Sequence, residues 1–385
     1  MFNIRQAYRS GVLAACGAAG QELEELLLYN ENIFVPDTGA EPHRFPLPDE
    51  PFVAAWDGYA AAAAEKGVYE VLKQRLIQFR FPVQEGISRS DAYQAATRRL
   101  GTAEGLPGAT GLVLERPELL ELTIHPTPAG RIPLLIIRHR ADFVILVQAL
   151  ANKNEPVPVP DSMGAAMVTG YNNWDRIFTY KKRWTAARTG NCLGEGWAEE
   201  FQRLIPRKEL YQDRFIILSD GPYSAVPARE MGLTETEWRR ASLVIRREHE
   251  CTHYFTRRLY GAMRNNILDE LIADYLGIVA AAGHYEAGWF LRFAGLEDYQ
   301  AYRKGGRLEN YRGNPPLSDG AFRILQILVK RAAENLAQFD RENTAYLHSP
   351  VGQRAMLAAL TRLTLEELAG EEAGIYLARA LSFHC

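Results

Sequence analysis

Cysteine is scarce and scattered. The four residues Cys16, Cys192, Cys251 and Cys385 form no CxxC pair, which excludes a disulfide framework and a thiolate zinc site and reads as the free thiols of a reducing compartment. Long apolar runs are also missing. No stretch approaches the ~18 residues that a membrane-spanning helix needs. The segment Leu13-Ala14-Ala15-Cys16 behind Arg5 and Arg9 has the look of a lipoprotein cleavage site, but only Gly11, Val12 and Leu13 precede it as an apolar run. A signal segment needs about 7 to 15 such residues, so the expected location is cytoplasmic and no membrane partner is expected. Charge of one sign is lacking too. A net charge of −3 over 385 residues leaves no overall basic field for nucleic acid and no acidic tail. Internal repeats and low-complexity tracts are absent, which excludes solenoids and disordered arrays.

What remains is the composition of a folded chain. Hydrophobic residues make up 47% and charged residues 24%, enough to bury one large core or two moderate ones. The first 100 residues read as helices, since QELEELLLYN sets leucines among glutamates and VYEVLKQRLIQF puts Val68, Leu72, Leu76 and Phe79 on one helical face. Between them VPDTGAEPHRFPLPDEP reads as loop. LVLERP, LELTIHP and RIPLLIIRH are short, rich in strand formers and bounded by Gly and Pro, which predicts strands. Asp142 is placed to cap a helix through FVILVQALANK. In NEPVPVPDSMG, Pro156, Pro158 and Pro160 force an extended path and suggest a domain boundary, giving an α+β N-terminal domain over 1–155 and a mostly helical domain over 156–385. RFIILSDG predicts one further strand. The chain after Thr234 reads as helical except for the loop GGRLENYRGNPPLSDG, so the expected class is α+β.

The chemistry concentrates in REHECTHYFTRR. Thr234 and Glu237 form a T-x-x-E capping box, which predicts a helix from about Glu235 through Tyr260 with a stop at Gly261. On that helix His249 and His253 are four residues apart and present two imidazoles to one point, the spacing a tetrahedral zinc ion takes from a single helix. Asn265-Asn266 reads as the cap of a second helix, ILDELIADYLGIVAAAG, on which Glu270 and Asp274 are again four apart. A tight turn between the helices brings Glu270 toward the histidines as a third, anionic ligand. Asp274, one turn on, can then accept the spare ring N–H of a liganding histidine.

In these residues the chain resembles the gluzincin metallopeptidases, the thermolysin-like zincins that carry HExxH followed by ExxxD on the next helix. The pair REHECTHYFTRR and LDELIADYLG is also similar to a family of bacterial proteins with no assigned function. The gluzincin resemblance implies His249, His253 and Glu270 as zinc ligands, Glu250 as general base toward the water that the metal activates, and Asp274 as partner of a ligand. Sixteen residues separate His253 from Glu270, slightly fewer than in thermolysin-type enzymes, so Asp269 and Asp274 stay open as alternative third ligands.

An oxyanion donor is required and no motif assigns it. Arg257, one turn beyond His253, is the nearest cation, and Tyr311 is a second substrate-binding candidate, with His284 and Arg312 behind it. Arg307, Tyr311 and Arg312 would be the polar tools if GGRLENYRGNPPLSDG is a lid. Arg246, Arg247 and Arg258 read as a solvated helix face, and Cys251 as a packed core thiol on the opposite side of the helix from the ligands. DSMGAAMVTGYNNWDRI reads as a tight packed loop or a substrate rim, and Gly194 and Gly196 form no phosphate loop. The expectation is a zinc-dependent hydrolase of an amide bond. Its alternatives are a zinc hydrolase tailoring a small molecule or modified peptide, and a non-catalytic interaction protein that keeps the helix pair for packing.

Overall fold

The computed structural model describes residues 2–34, 44–187 and 196–382. Cys192, Gly194, Cys385 and the loop positions 35–43 lie outside the described residues. The chain forms two compact units, one from residues 45–221 and one from residues 1–44 together with 222–385. The class is α+β, with all four strands of one mixed sheet in the 45–221 unit.

That sheet has the order β1 (Leu120–His125), β2 (Ile132–Ile137), β4 (Gln212–Ser219), β3 (Ala165–Asn172). β1 and β2 are an antiparallel hairpin, β2 runs parallel to β4, and β3 closes the other edge antiparallel to β4. A parallel connection needs a crossover, and the Arg140–Leu150 helix after β2 supplies its first leg. The central pair is covered on both faces, so every residue of IPLLII in β2 is buried. Trp56, Phe79, Leu135, Phe143 and Phe215 share one core cluster. Arg176 and Asp213 form a buried ion pair at 2.6 Å. Trp56 Nε1 and Asn173 Nδ2 donate to the same carboxylate at 2.8 and 2.6 Å.

Four local expectations change. LVLERP joins no ladder: Leu112 and Leu114 are buried, and Leu112 donates its N–H to Phe79 O at 2.9 Å, so this segment packs along a helix end. Receiving it, the VYEVLKQRLIQF helix ends at Arg75 and continues as a 3₁₀ turn over Ile77–Arg80. Asp142 does not cap its own helix but accepts Glu115 N–H and Arg116 N–H at 2.7 and 2.8 Å. DSMGAAMVTGYNNWDRI is no loop but contains β3, and Asn173 caps the Trp174–Ala186 helix. The Pro156 to Pro160 stretch runs between the Arg140–Leu150 helix and β3, inside the 45–221 unit.

In the other unit every named element among the described residues is a helix. Its first helix, Phe2–Ala15, buries Leu13 and lays Arg5 and Arg9 against Glu367 and Glu366 at 2.6 and 3.2 Å. Two helices carry the motif, Glu235–Tyr260 (the histidine helix) and Asn266–Ala282 (the acidic helix). The histidine helix begins at the Thr234/Glu237 capping box and stops at Gly261, whose φ of 68° suits a residue without Cβ. Asn265 does not cap the acidic helix through its side chain; that amide donates to Asn32 Oδ1 instead. The two helices meet closely at Gly277, where a Cβ would come within 2.7 Å of Ile245 O. No helix among the described residues is long and apolar enough to cross a membrane.

Gly277→Ala would place a methyl where the neighbouring backbone stands, so a stability loss of about 1–3 kcal/mol is expected by urea unfolding. Arg176→Ala leaves the Asp213 carboxylate buried without its cation and is expected to cost about 3–5 kcal/mol by the same measurement.

Candidate metal centre

The histidine helix and the acidic helix run antiparallel about the contact of Gly277 with Ile245. One turn beyond Ile245 lies His249 and two turns beyond lies His253, while Glu270 is two turns back from Gly277. The three side chains therefore face each other. His249 Nε2 and His253 Nε2 are 3.0 Å apart, and Glu270 places Oε2 3.6 Å from His249 Nε2 and Oε1 3.4 Å from His253 Nε2. Ligand-capable atoms of the three residues lie within 4.8 Å of one another. A tetrahedral ion with bonds of about 2.0–2.1 Å has donor-to-donor edges of roughly 3.3 Å, and the three distances bracket that value. Glu270 Oε2 is buried without a hydrogen-bond partner, an arrangement that costs free energy unless a cation occupies the space. The residues thus fit a metal ion.

Each histidine is held from behind. His249 Nδ1 is 2.8 Å from Asp274 Oδ1, which leaves Nε2 with its lone pair toward the centre. His253 Nδ1 lies 3.0 Å from Asp269 Oδ2, within hydrogen-bond distance but without hydrogen-bond direction. Of the three carboxylates open to the third ligand position, Glu270 faces the two Nε2 atoms, and Asp269 and Asp274 each stand behind a ring.

Two residues complete the cage. Tyr223 reaches in from a turn in which Ser224 and Ala225 adopt positive φ. It donates to Asp274 Oδ1 at 2.6 Å and stands 2.9 Å from His249 Nδ1. Arg307, from the 3₁₀ turn Arg307–Tyr311, donates to Tyr223 Oη and Ser224 Oγ at 2.9 and 3.2 Å and pairs with Asp274 Oδ2. Sequence reasoning missed Tyr223, because it belongs to neither motif helix and no spacing rule ties DGPYSAVP to HECTH. Arg307 was legible only as a polar residue in a long loop.

Burial and charge oppose one another here. Burial pulls the His253 pKa down, yet Asp269 and Glu270 outweigh it and hold the ring well above 6.5. Burial pushes Glu270 up, but its contacts with His253, His249 and Arg307 hold it well below the usual carboxylate range. Asp274 is lowered against burial by Arg307 and His249. Burial and the Glu270 charge push the Tyr311 phenol up.

The other candidates are placed as follows. Glu250 is half-buried on the histidine helix next to His249 and takes no hydrogen bond from the described residues. Arg257 is half-buried and donates to Met263 Sδ at 3.4 Å. His284 pairs with Glu286 at 2.5 Å and Arg312 with Asp319 at 2.7 Å, so neither joins the cluster. Arg246 is not solvated: it is buried over the Tyr223 ring at 5.6 Å, with Pro222 O accepting at 3.3 Å. Cys251 is a buried free thiol with its pKa pushed up by burial, which makes it unreactive.

No curated protein and no solved structure matches the chain. A sequence-family profile described as a family of unknown function (DUF7005) matches residues 11–372, a span that includes both motif helices, Tyr223 and Arg307, and the chain belongs to that family.

Proposed function

We propose that this protein is a zinc-dependent hydrolase, with a metallopeptidase as the leading reading, in which His249, His253 and Glu270 hold the metal. The observation that carries the proposal is the convergence of two histidine Nε2 atoms and an unpartnered buried carboxylate oxygen on one point. When bound, zinc acts as a Lewis acid and lowers the pKa of water toward about 7. Glu250, the carboxylate adjacent to a ligand, would hold the proton of the attacking water and return it to the leaving group. Asp274, steadied by Tyr223 and Arg307, fixes the ring of His249. Tyr311, whose phenol feels the Glu270 charge, and Arg257 are the groups assigned to bind substrate.

A small substrate is a second reading, and burial favours it. The side chains of His249, His253 and Glu270 are only 8, 7 and 11% exposed, so a compact molecule or a narrow modified peptide reaches them more easily than a broad polypeptide does.

Protein purified without added zinc is expected to hold about one zinc per chain by elemental analysis, and His253→Ala to hold little. Absence of zinc from the wild type, even after incubation with the ion, overturns the proposal. Glu250→Gln is expected to keep the metal while hydrolysis of a quenched-fluorescent peptide library falls by about 10²–10⁴. Asp274→Asn is expected to weaken zinc binding by about 10–100-fold in a chelator competition.

A further inference from the structure

The 45–221 unit contains none of the metal-centre residues, yet it carries two adjoining cavities. One, of about 300 Å³, is polar and is lined by Tyr93, Arg98, Lys153 and Thr169 among others. The second, of about 210 Å³, is mostly apolar, with Trp174, Ile177, Phe201 and Leu204 in its wall. They meet at Thr97, Arg98 and Asn172, which line both. Together they reach the size at which small-molecule sites begin, about 300–1,000 Å³.

Their charge is one-sided. Arg98 and Lys153 line the polar cavity and no carboxylate lines either one. The nearby carboxylate of Glu155 is occupied by Gly86 N–H and Ser88 N–H, both at 2.8 Å. Neither Arg98 nor Lys153 has an ion-pair partner among the described residues.

The backbone is irregular at three places around this polar cavity. Thr97 and Arg98 lie on a π turn, Ala96–Leu100, closed by Gly101 N–H on Ala96 O at 2.9 Å. Lys153 and the buried Asn154 adopt positive φ of 56° and 63°. β3 has a register shift between Thr169 and Tyr171. Each irregularity costs free energy or breaks a ladder, and such features gather where a chain aims side chains at a ligand. The walls are also fixed in advance: Tyr171 bonds Gln78, Tyr93 donates to Asn154 Oδ1 at 3.0 Å, and Trp174 Nε1 donates to Thr97 O at 2.8 Å. The two cations are left as the groups free to meet a ligand.

We infer that this cavity pair binds a small amphiphilic anion, with a single carboxylate or phosphate held by Arg98 and Lys153 and an apolar or aromatic body against the wall formed by Trp174, Ile177 and Phe201. Arginine suits either head group, because its planar fork donates two parallel hydrogen bonds to carboxylate or phosphate oxygens.

Calorimetric titration of the full chain tests this with 2-naphthoate, 2-naphthyl phosphate and the neutral 2-naphthalenemethanol. At least one anion is expected to bind with a dissociation constant below about 1 mM, and the neutral alcohol about tenfold or more weakly. Binding of only one anion assigns the head group as carboxylate or phosphate. Arg98→Glu, an exposed position where folding is checked by circular dichroism, is expected to weaken the anion about tenfold or more, and Arg98→Lys to recover part of it. Equal binding of alcohol and anions, unchanged affinity in Arg98→Glu, or no heat from either anion at millimolar concentration overturns the inference.

Discussion

The meeting of His249, His253 and Glu270 depends on how near two helices can come. Where Gly277 meets Ile245 there is no room for a side chain on one of them, and the helices approach to backbone contact. Residues seven or eight positions apart share a helical face, so the same contact that joins Ile245 to Gly277 also brings Glu270 opposite His249 and His253. A wider separation would leave the carboxylate short of both rings. The short link between Gly261 and Asn265 helps by folding the chain back at once, and the thermolysin-type spacing need not be reproduced for the ligands to meet.

Charge balance follows from that closeness. Asp269, Glu270 and Asp274 are all buried within five residues, and three anions in a water-poor interior repel one another and lose hydration. Arg307 answers Asp274, His253 answers Asp269, and Glu270 keeps one oxygen with no donor. A divalent cation between the rings would complete the balance. Tyr223 stiffens the arrangement: its phenol lies against His249, Asp274 and Arg307 at once, so the ring of His249 cannot turn without disturbing all of them.

The parts of this site that were legible in the sequence are those fixed by local rules. The ends of the histidine helix follow from Thr234, Glu237 and Gly261, and the pairing of His249 with His253 and of Glu270 with Asp274 follows from helical periodicity. Tyr223 and Arg307 lie outside those rules, since a turn before the first helix and a loop after the second reach the site only through tertiary packing. The same limit explains the fold. LELTIHP, RIPLLIIRH and RFIILSDG announced themselves by strand formers, whereas β3 is written AAMVTGYN, with small residues and a glycine that argue locally for a loop. Asp142 has the identity and position of a helix cap, and only the arrival of Glu115 and Arg116 diverts it.

The unit that holds the metal-centre residues is interrupted in the chain, with its first two helices made before residue 45 and the remainder after residue 221. During synthesis Arg5 and Arg9 therefore wait for more than three hundred residues before Glu366 and Glu367 emerge to meet them. The sheet-bearing unit is contiguous and can finish first, because a segment folds as soon as its own contacts are available. The helices that carry His249, His253 and Glu270 are thus brought together late, after most of the polypeptide has left the ribosome.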